Sequence, residues 1–188
     1  HASPTIWVSF PILNGDKELS DANILIWTTT PWTIPANRAI AFSSQFEYGL
    51  FEVSSIEEDS IASIGKKIII NTAMQENVEK AAKIKLNLLK SLKSLEVLIC
   101  SHPFKESGYN FDVPLLEGDF LTEDAGTGFV HLAPSHGQDD YELAIKNGIK
   151  PPFILDDEGY YLEDVKIFAG KKVYNDDGSL GDATGAVI

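Results

Sequence analysis

The chain has 188 residues, 44% of them apolar and 10% aromatic, enough for one sizeable core and unlike a disordered or low-complexity protein. Its formal net charge of −13 excludes a nucleic-acid partner gripped mainly through its phosphates, because such binders present basic surface. The single cysteine, Cys100, excludes an internal disulfide and favours a reducing compartment, and no apolar run approaches the ~20 residues that span a bilayer.

SPTIWVSF, from Ser3 to Phe10, already reads as structured sequence, so the chain is expected to be a piece of a longer protein. ILIW (24–27), YGLFEV (48–53), KKIII (66–70), LEVLIC (95–100) and GFVHLA (128–133) are short, rich in β-branched and aromatic residues, and bounded by turn residues, which predicts strands. Between the third and fourth, Val78, Ala81, Ala82, Leu88, Leu89, Leu92 and Leu95 recur at helical spacing. Thr72 with Gln75 fits a capping box, and one helix is predicted from about Thr72 to Ser94 with its lysines on a solvated face. A second helix is predicted from Gln138 to Asn147, stopped by Gly148. Many short strands with few helices give an α+β class, a β-barrel-rich domain with a few peripheral helices. No repeat or linker divides residues 1–188, so one domain is expected.

Two stretches carry chemistry. In TTTPWTIPANRAI (28–40), Pro31 and Pro35 forbid a regular helix and hold the threonines on a stiff segment at the end of a strand. From the residues alone it can be a stiffened crossover whose threonines cap backbone groups, or a loop aiming Thr28, Thr29, Thr30, Thr33, Trp32 and Asn37 at a ligand. In GTGFVHLAPSHGQDDY (126–141), Gly126 and Gly128 permit close approach of a ligand or another strand, and alternation sets His131 opposite Val130 and Leu132. Asp139 and Asp140 fall in a helix's first turn, where the dipole favours acids regardless of function. Four uses are open there: plain helix-start structure, a metal site from His131, His136 and Asp139 or Asp140, a nucleophilic triad, or a carboxylate that pairs a substrate ammonium beside a pocket-shaping histidine. The spacing matches no known metal signature, and no G-x-S-x-G elbow accompanies the histidines.

Together, WTTTPWTIPANRAI and DAGTGFVHLAPSHGQDDY closely resemble the editing (CP1) domain inserted into isoleucyl-tRNA synthetases. SHPF (101–104) and FDVPLLEGDFLTEDAG (111–126) match the same pattern, and the motifs spread from about residue 3 to 150. Related valyl and leucyl editing domains usually read TTRP, with arginine at the place of Thr30. No H-x-G-H or K-M-S-K-S stretch is present, so the chain carries no synthetic site.

The resemblance implies a domain that hydrolyses valine wrongly esterified to isoleucine tRNA, by positioned water and without a cofactor or metal. A hydrophobic pocket separates side chains differing by one methylene by only ~1–3 kcal/mol, and this family is itself the standard illustration of that limit. By the same resemblance Asp140 holds the α-ammonium, and Trp32 and His131 line the amino-acid pocket. Thr28, Thr29 and Thr30 cradle the terminal adenosine and ester, Thr33 and Asn37 support them and place water, and Gly126 and Gly128 keep their strand close to the ligand. Phe129, sharing the strand parity of His131, is expected at the pocket rim, and Ser135 stands where glycine is common. The implied partners are the 3′ end of valine-bearing tRNA(Ile) and the remaining domains of the parent enzyme, with no membrane, a monomeric state, and a cytoplasmic or organelle-matrix location. The rival readings are a silent module binding the aminoacyl-adenosine end, and a metal-dependent hydrolase using His131 and His136.

Overall fold

The computed structural model describes residues 4–188; Ser3, the start of the SPTIWVSF stretch, lies outside them. One sheet of five strands runs in the order β1 (Ile6–Pro11), β2 (Ala22–Thr28), β5 (Lys67–Asn71), β4 (Tyr48–Ile56) and β6 (Ile84–Leu92). The other, of four strands, runs β7 (Ile99–Ser101), β8 (Asp112–Glu117), β3 (Ala39–Phe42) and β9 (Val130–Leu132). Among the described residues three α-helices, α1 (Gln75–Ala82), α2 (Gln138–Lys146) and α3 (Asp182–Val187), accompany them. The α+β composition is the expected one, but among the described residues the strands form two sheets and no closed barrel.

β2 is buried almost throughout, and its two faces serve two cores. Ile24 and Ile26 enter the main core with Phe10, Ile40 and Phe42, while Leu25 enters a second core with Phe51, Ile68, Ile70 and Val78. A strand covered on both faces reads as a continuous apolar run, which is why ILIW shows no polar alternation. β3 does the same for the second sheet: Ile40 and Phe42 face the main core, Ala39 and Ala41 face Leu132 and Leu143. The TTTPWTIPAN segment is therefore the crossover from one sheet to the other. Its residues Pro31–Ala36 do form a helix, of the 3₁₀ type, with Pro31 opening it.

The long helix predicted over 72–94 is overturned. Thr72–Met74 is a 3₁₀ turn capped by Asn71, whose side chain accepts from the Ala73 N–H, and Thr72 donates instead to the Glu47 carbonyl. α1 stops at Ala82 because Lys83 takes a left-handed conformation, φ 55°. From there β6 pairs antiparallel with β4, burying Ile84 and Leu86 at a period of two. The LEVLIC strand shortens to Ile99–Ser101, with Leu95–Leu98 closing a turn ahead of it. α2 ends as predicted, with Gly148 at φ 71° just beyond it.

Candidate active site

Where β2 leaves the first sheet, Thr28 folds its hydroxyl back to accept the Thr30 N–H at 3.1 Å. The chain then enters the 3₁₀ turn, and Thr33 donates its hydroxyl to the Thr30 carbonyl at 2.8 Å. From the second sheet β9 brings His131 opposite Ile40. The His131 Nε2 lies 2.9 Å from Thr33 Oγ1, and its Nδ1 lies 3.2 Å from Asn37 Nδ2. Burial, first of all, pushes the imidazole down to about 3, so it is neutral. Both ring nitrogens are occupied, leaving no lone pair for a metal. Among the described residues no three His, Cys, Asp or Glu side chains gather as a ligand set, so the His131/His136 metal reading gains no support.

Asp140 sits in the first turn of α2. Its carboxylate accepts the Ala133 N–H at 2.8 Å, which turns it back toward β9. Gly137 makes room, since a Cβ there would lie 3.0 Å from the carboxyl carbon of Asp140. Burial raises the Asp140 pKa above the usual carboxylate range; the Ala133 N–H opposes this and the neighbouring Asp139 charge adds to it. Such a carboxylate gains most from a cationic partner. Asp139 is exposed and lines a different cavity, with Glu142 and Lys146.

Thr28, Thr30, Trp32, Thr33, His131 and Asp140 all line one cavity of about 210 Å³. Thr29 and Gly126 line an adjoining cavity of about 260 Å³, which shares Trp27, Thr28 and Val130 with the first. Asn37 is fully buried behind His131 and reaches the cavity only through that ring. Gly128, at φ 83°, lines neither of these two cavities: a Cβ there would lie 2.3 Å from that of Asn71, so its glycine serves close strand approach. Phe129 is not at the rim of the His131 cavity. It lies before β9 begins, packs 4.6 Å from Tyr48 in the main core, and lines only the adjoining space. Ser135 uses its hydroxyl on the Pro152 carbonyl.

Several contributors were not assigned to the pocket from the sequence. Trp27 and Val130 line the cavity as ordinary apolar strand residues, and Ala133 does so from just beyond β9. His136 lines it too, edge-on to Trp32 at 4.9 Å. Tyr48 donates to the Gly128 carbonyl at 2.6 Å and so anchors the glycine loop. His102 of the SHPF stretch, pushed down to about 4 chiefly by burial, accepts the Phe104 N–H on Nδ1 and so donates from Nε2 to the Ile34 carbonyl at 3.0 Å. The SHPF match marked the position but not this buttressing role.

The whole chain aligns with isoleucine–tRNA ligases. It is 44% identical over 203 residues to that of Agrobacterium fabrum, covering 99% of this chain and 21% of that protein. It is 43% identical over 202 residues to that of Rhodopseudomonas palustris, covering 100% of this chain and 20% of that protein. The chain belongs to the isoleucine–tRNA ligase family, as a segment of it. It spans about a fifth of the length of the relatives it matches. No family model matches it. Among solved structures it shares the fold of GlLeuRS-CP1, at TM-score 0.56 and 18% identity over 78% of this chain and 65% of that one. The P. falciparum cytosolic leucyl-tRNA synthetase editing domain superposes at TM-score 0.53 and 15% identity over 74% of this chain and 56% of that one. The fold is thus that of these CP1 editing domains. No helix among the described residues is long and apolar enough to cross a membrane.

Proposed function

We propose that this segment performs post-transfer editing, the hydrolysis of the ester joining valine to the 3′ end of tRNA(Ile). The observation that carries the reading is the convergence of a half-buried carboxylate, a row of hydroxyls and two aromatic walls on one cavity of about 210 Å³. That volume is below the ~300–1,000 Å³ of sites for drug-sized ligands and suits one small amino acid. Asp140 would hold the α-ammonium, a buried cation needing a paired carboxylate. Trp32 and the neutral His131 would limit side-chain size. Thr28 and Thr30 would face the ester, and the adjoining cavity with Thr29 and Gly126 would take the adenosine.

An aminoacyl ester beside an ammonium is already activated, so positioned water suffices and no cofactor enters the step. Hydroxyls and backbone N–H groups near Thr30 would stabilise the oxyanion. Thr33 and Asn37 would act by fixing His131. The chain's charge of −13 makes the rest of the synthetase the holder of the tRNA body.

The test is deacylation of Val-tRNA(Ile) by the synthetase that carries this segment, with and without chelator. Rapid clearance of valine in both conditions is expected, with isoleucine spared. Binding without turnover would make the segment a silent recognition module, and loss of activity with chelator would require a metal.

A further inference from the structure

One backbone group of the 3₁₀ turn is left without a partner by the sequence itself. In a 3₁₀ helix the carbonyl of residue i accepts from the N–H of residue i+3. For Trp32 that residue is Pro35, which has no N–H. Tyr161 supplies the missing donor: its hydroxyl donates to the Trp32 carbonyl at 2.5 Å. Its side chain is 2% exposed, and burial raises the phenol pKa further, so it remains a donor throughout the working range.

Other contacts run from the same C-terminal segment to the same place. Tyr174 stands edge-on to the Trp32 indole, 6.4 Å between ring centres at 78°. α3 packs against the 3₁₀ turn, and the Ser135 hydroxyl reaches the Pro152 carbonyl. No residue beyond Asp140 lines the 210 Å³ cavity, so this segment shapes the site only from behind.

We infer that Tyr161 is a positioning residue for the pocket: by holding the Trp32 carbonyl it fixes the indole that forms one wall, and so sets the side-chain size the pocket admits. This rests on the editing reading above. Residues 150–188, outside the recognisable motifs, are then part of the specificity apparatus. A hydroxyl lost there loosens the wall without touching Asp140, so discrimination suffers before the chemistry does.

The experiment compares deacylation of Val-tRNA(Ile) and Ile-tRNA(Ile) by the full-length synthetase and its Tyr161→Phe variant. The valine-to-isoleucine rate ratio is expected to fall by roughly fivefold or more, the scale of one buried unpaired carbonyl. Tyr160→Phe is the control, because that ring carries Lys172 and does not touch the turn; its ratio should not move. Pro35→Ala added to Tyr161→Phe restores an N–H for the Trp32 carbonyl and should return much of the ratio. An unchanged ratio in Tyr161→Phe, with or without a lowered Tm, overturns the inference, as does a double variant showing no recovery. A wild-type enzyme that clears neither ester overturns the editing reading itself, and this inference with it.

Discussion

His131 accepts a hydrogen bond on Nδ1 from Asn37 at 3.2 Å, and this contact sets the protonation of the whole site. The other amide hydrogen of Asn37 goes to the Ala39 carbonyl at 2.9 Å, so the amide faces His131 as a donor. The imidazole proton is therefore on Nε2 and goes to Thr33, whose own proton goes to the Thr30 carbonyl. Asn37, His131, Thr33 and Thr30 form one directed chain running from the second sheet to the cavity wall.

Thr33→Val should break that chain while keeping the volume. It leaves the His131 Nε2–H unpaired, at a cost of about 1–3 kcal/mol, while the Thr30 carbonyl keeps the backbone N–H of residue 33 at 3.1 Å. Editing is expected to fall about tenfold or more with amino-acid activation unchanged, and Thr33→Ser should retain most of it. Wild-type clearance of valine by Thr33→Val would remove Thr33 from the mechanism.

Asp140→Asn separates charge from fold. An amide oxygen can still accept the Ala133 N–H, so the first turn of α2 stays in place while the ammonium loses its partner. Removing one member of a buried charge pair costs about 2–5 kcal/mol, so editing should drop by roughly 30-fold or more. Stability should move the other way. A carboxyl whose pKa is raised by folding favours its protonated form in the native state, so the fold gives up stability as pH rises through that pKa. At neutral pH the neutral amide removes that cost, and Tm should rise by roughly 1–4 °C. The gain should vanish in acid, where Asp140 is protonated. A Tm deficit at pH 7 would contradict the placement of Asp140.

The site was more legible in the sequence than the fold around it. Thr28, Thr30, Trp32, Thr33, His131 and Asp140 lie in two dense motifs, and the crossover between sheets brings those motifs together. Residues 84–92 misled because Leu88, Leu89 and Leu92 continue a helical spacing from α1, while Ile84 and Leu86 equally fit a strand. Pairing with β4 and the left-handed turn at Lys83 decided for the strand, a tertiary effect that local periodicity does not contain. Asn37, Tyr48, His102 and Tyr161 act through hydrogen bonds to groups far away in sequence, and nothing in their neighbours announces such partners.

Acid should unfold the domain through its buried histidines. His131 is held down to about 3 and His102 to about 4, both chiefly by burial, against about 6.5 in the unfolded chain. The unfolded state therefore binds more protons between those limits. Their stabilising contribution is complete above pH 6.5 and is lost as pH falls toward 4, at up to about 1.4 kcal/mol per pH unit for each histidine. Asp140 acts in the opposite sense, so the clean measurement is a difference. Urea unfolding of wild type and His102→Asn at pH 7, 6 and 5 should give a shallower pH slope in the variant, by roughly one proton. Equal slopes would mean that His102 is already protonated in the native state.

Gly126 and Gly128 share a left-handed backbone, at φ 81° and 83°, yet should tolerate alanine very differently. At Gly126 the added Cβ has only Trp27 near it, at 3.8 Å, so the cost is backbone strain alone, about 1 kcal/mol. At Gly128 the same Cβ would lie 2.3 Å from the Cβ of Asn71. Asn71 has no freedom to retreat: its N–H donates to the Thr127 carbonyl at 2.8 Å, its side chain caps the turn before α1, and it reaches Glu123 at 2.6 Å. Relief must come from the loop that Tyr48 anchors and that carries the chain into β9. Gly128→Ala should therefore cost about 3 kcal/mol or more and also displace His131, lowering editing, while Gly126→Ala stays near 1 kcal/mol. Urea unfolding of the two variants side by side checks this, and equal losses would mean that the contact with Asn71 is not what demands glycine at 128.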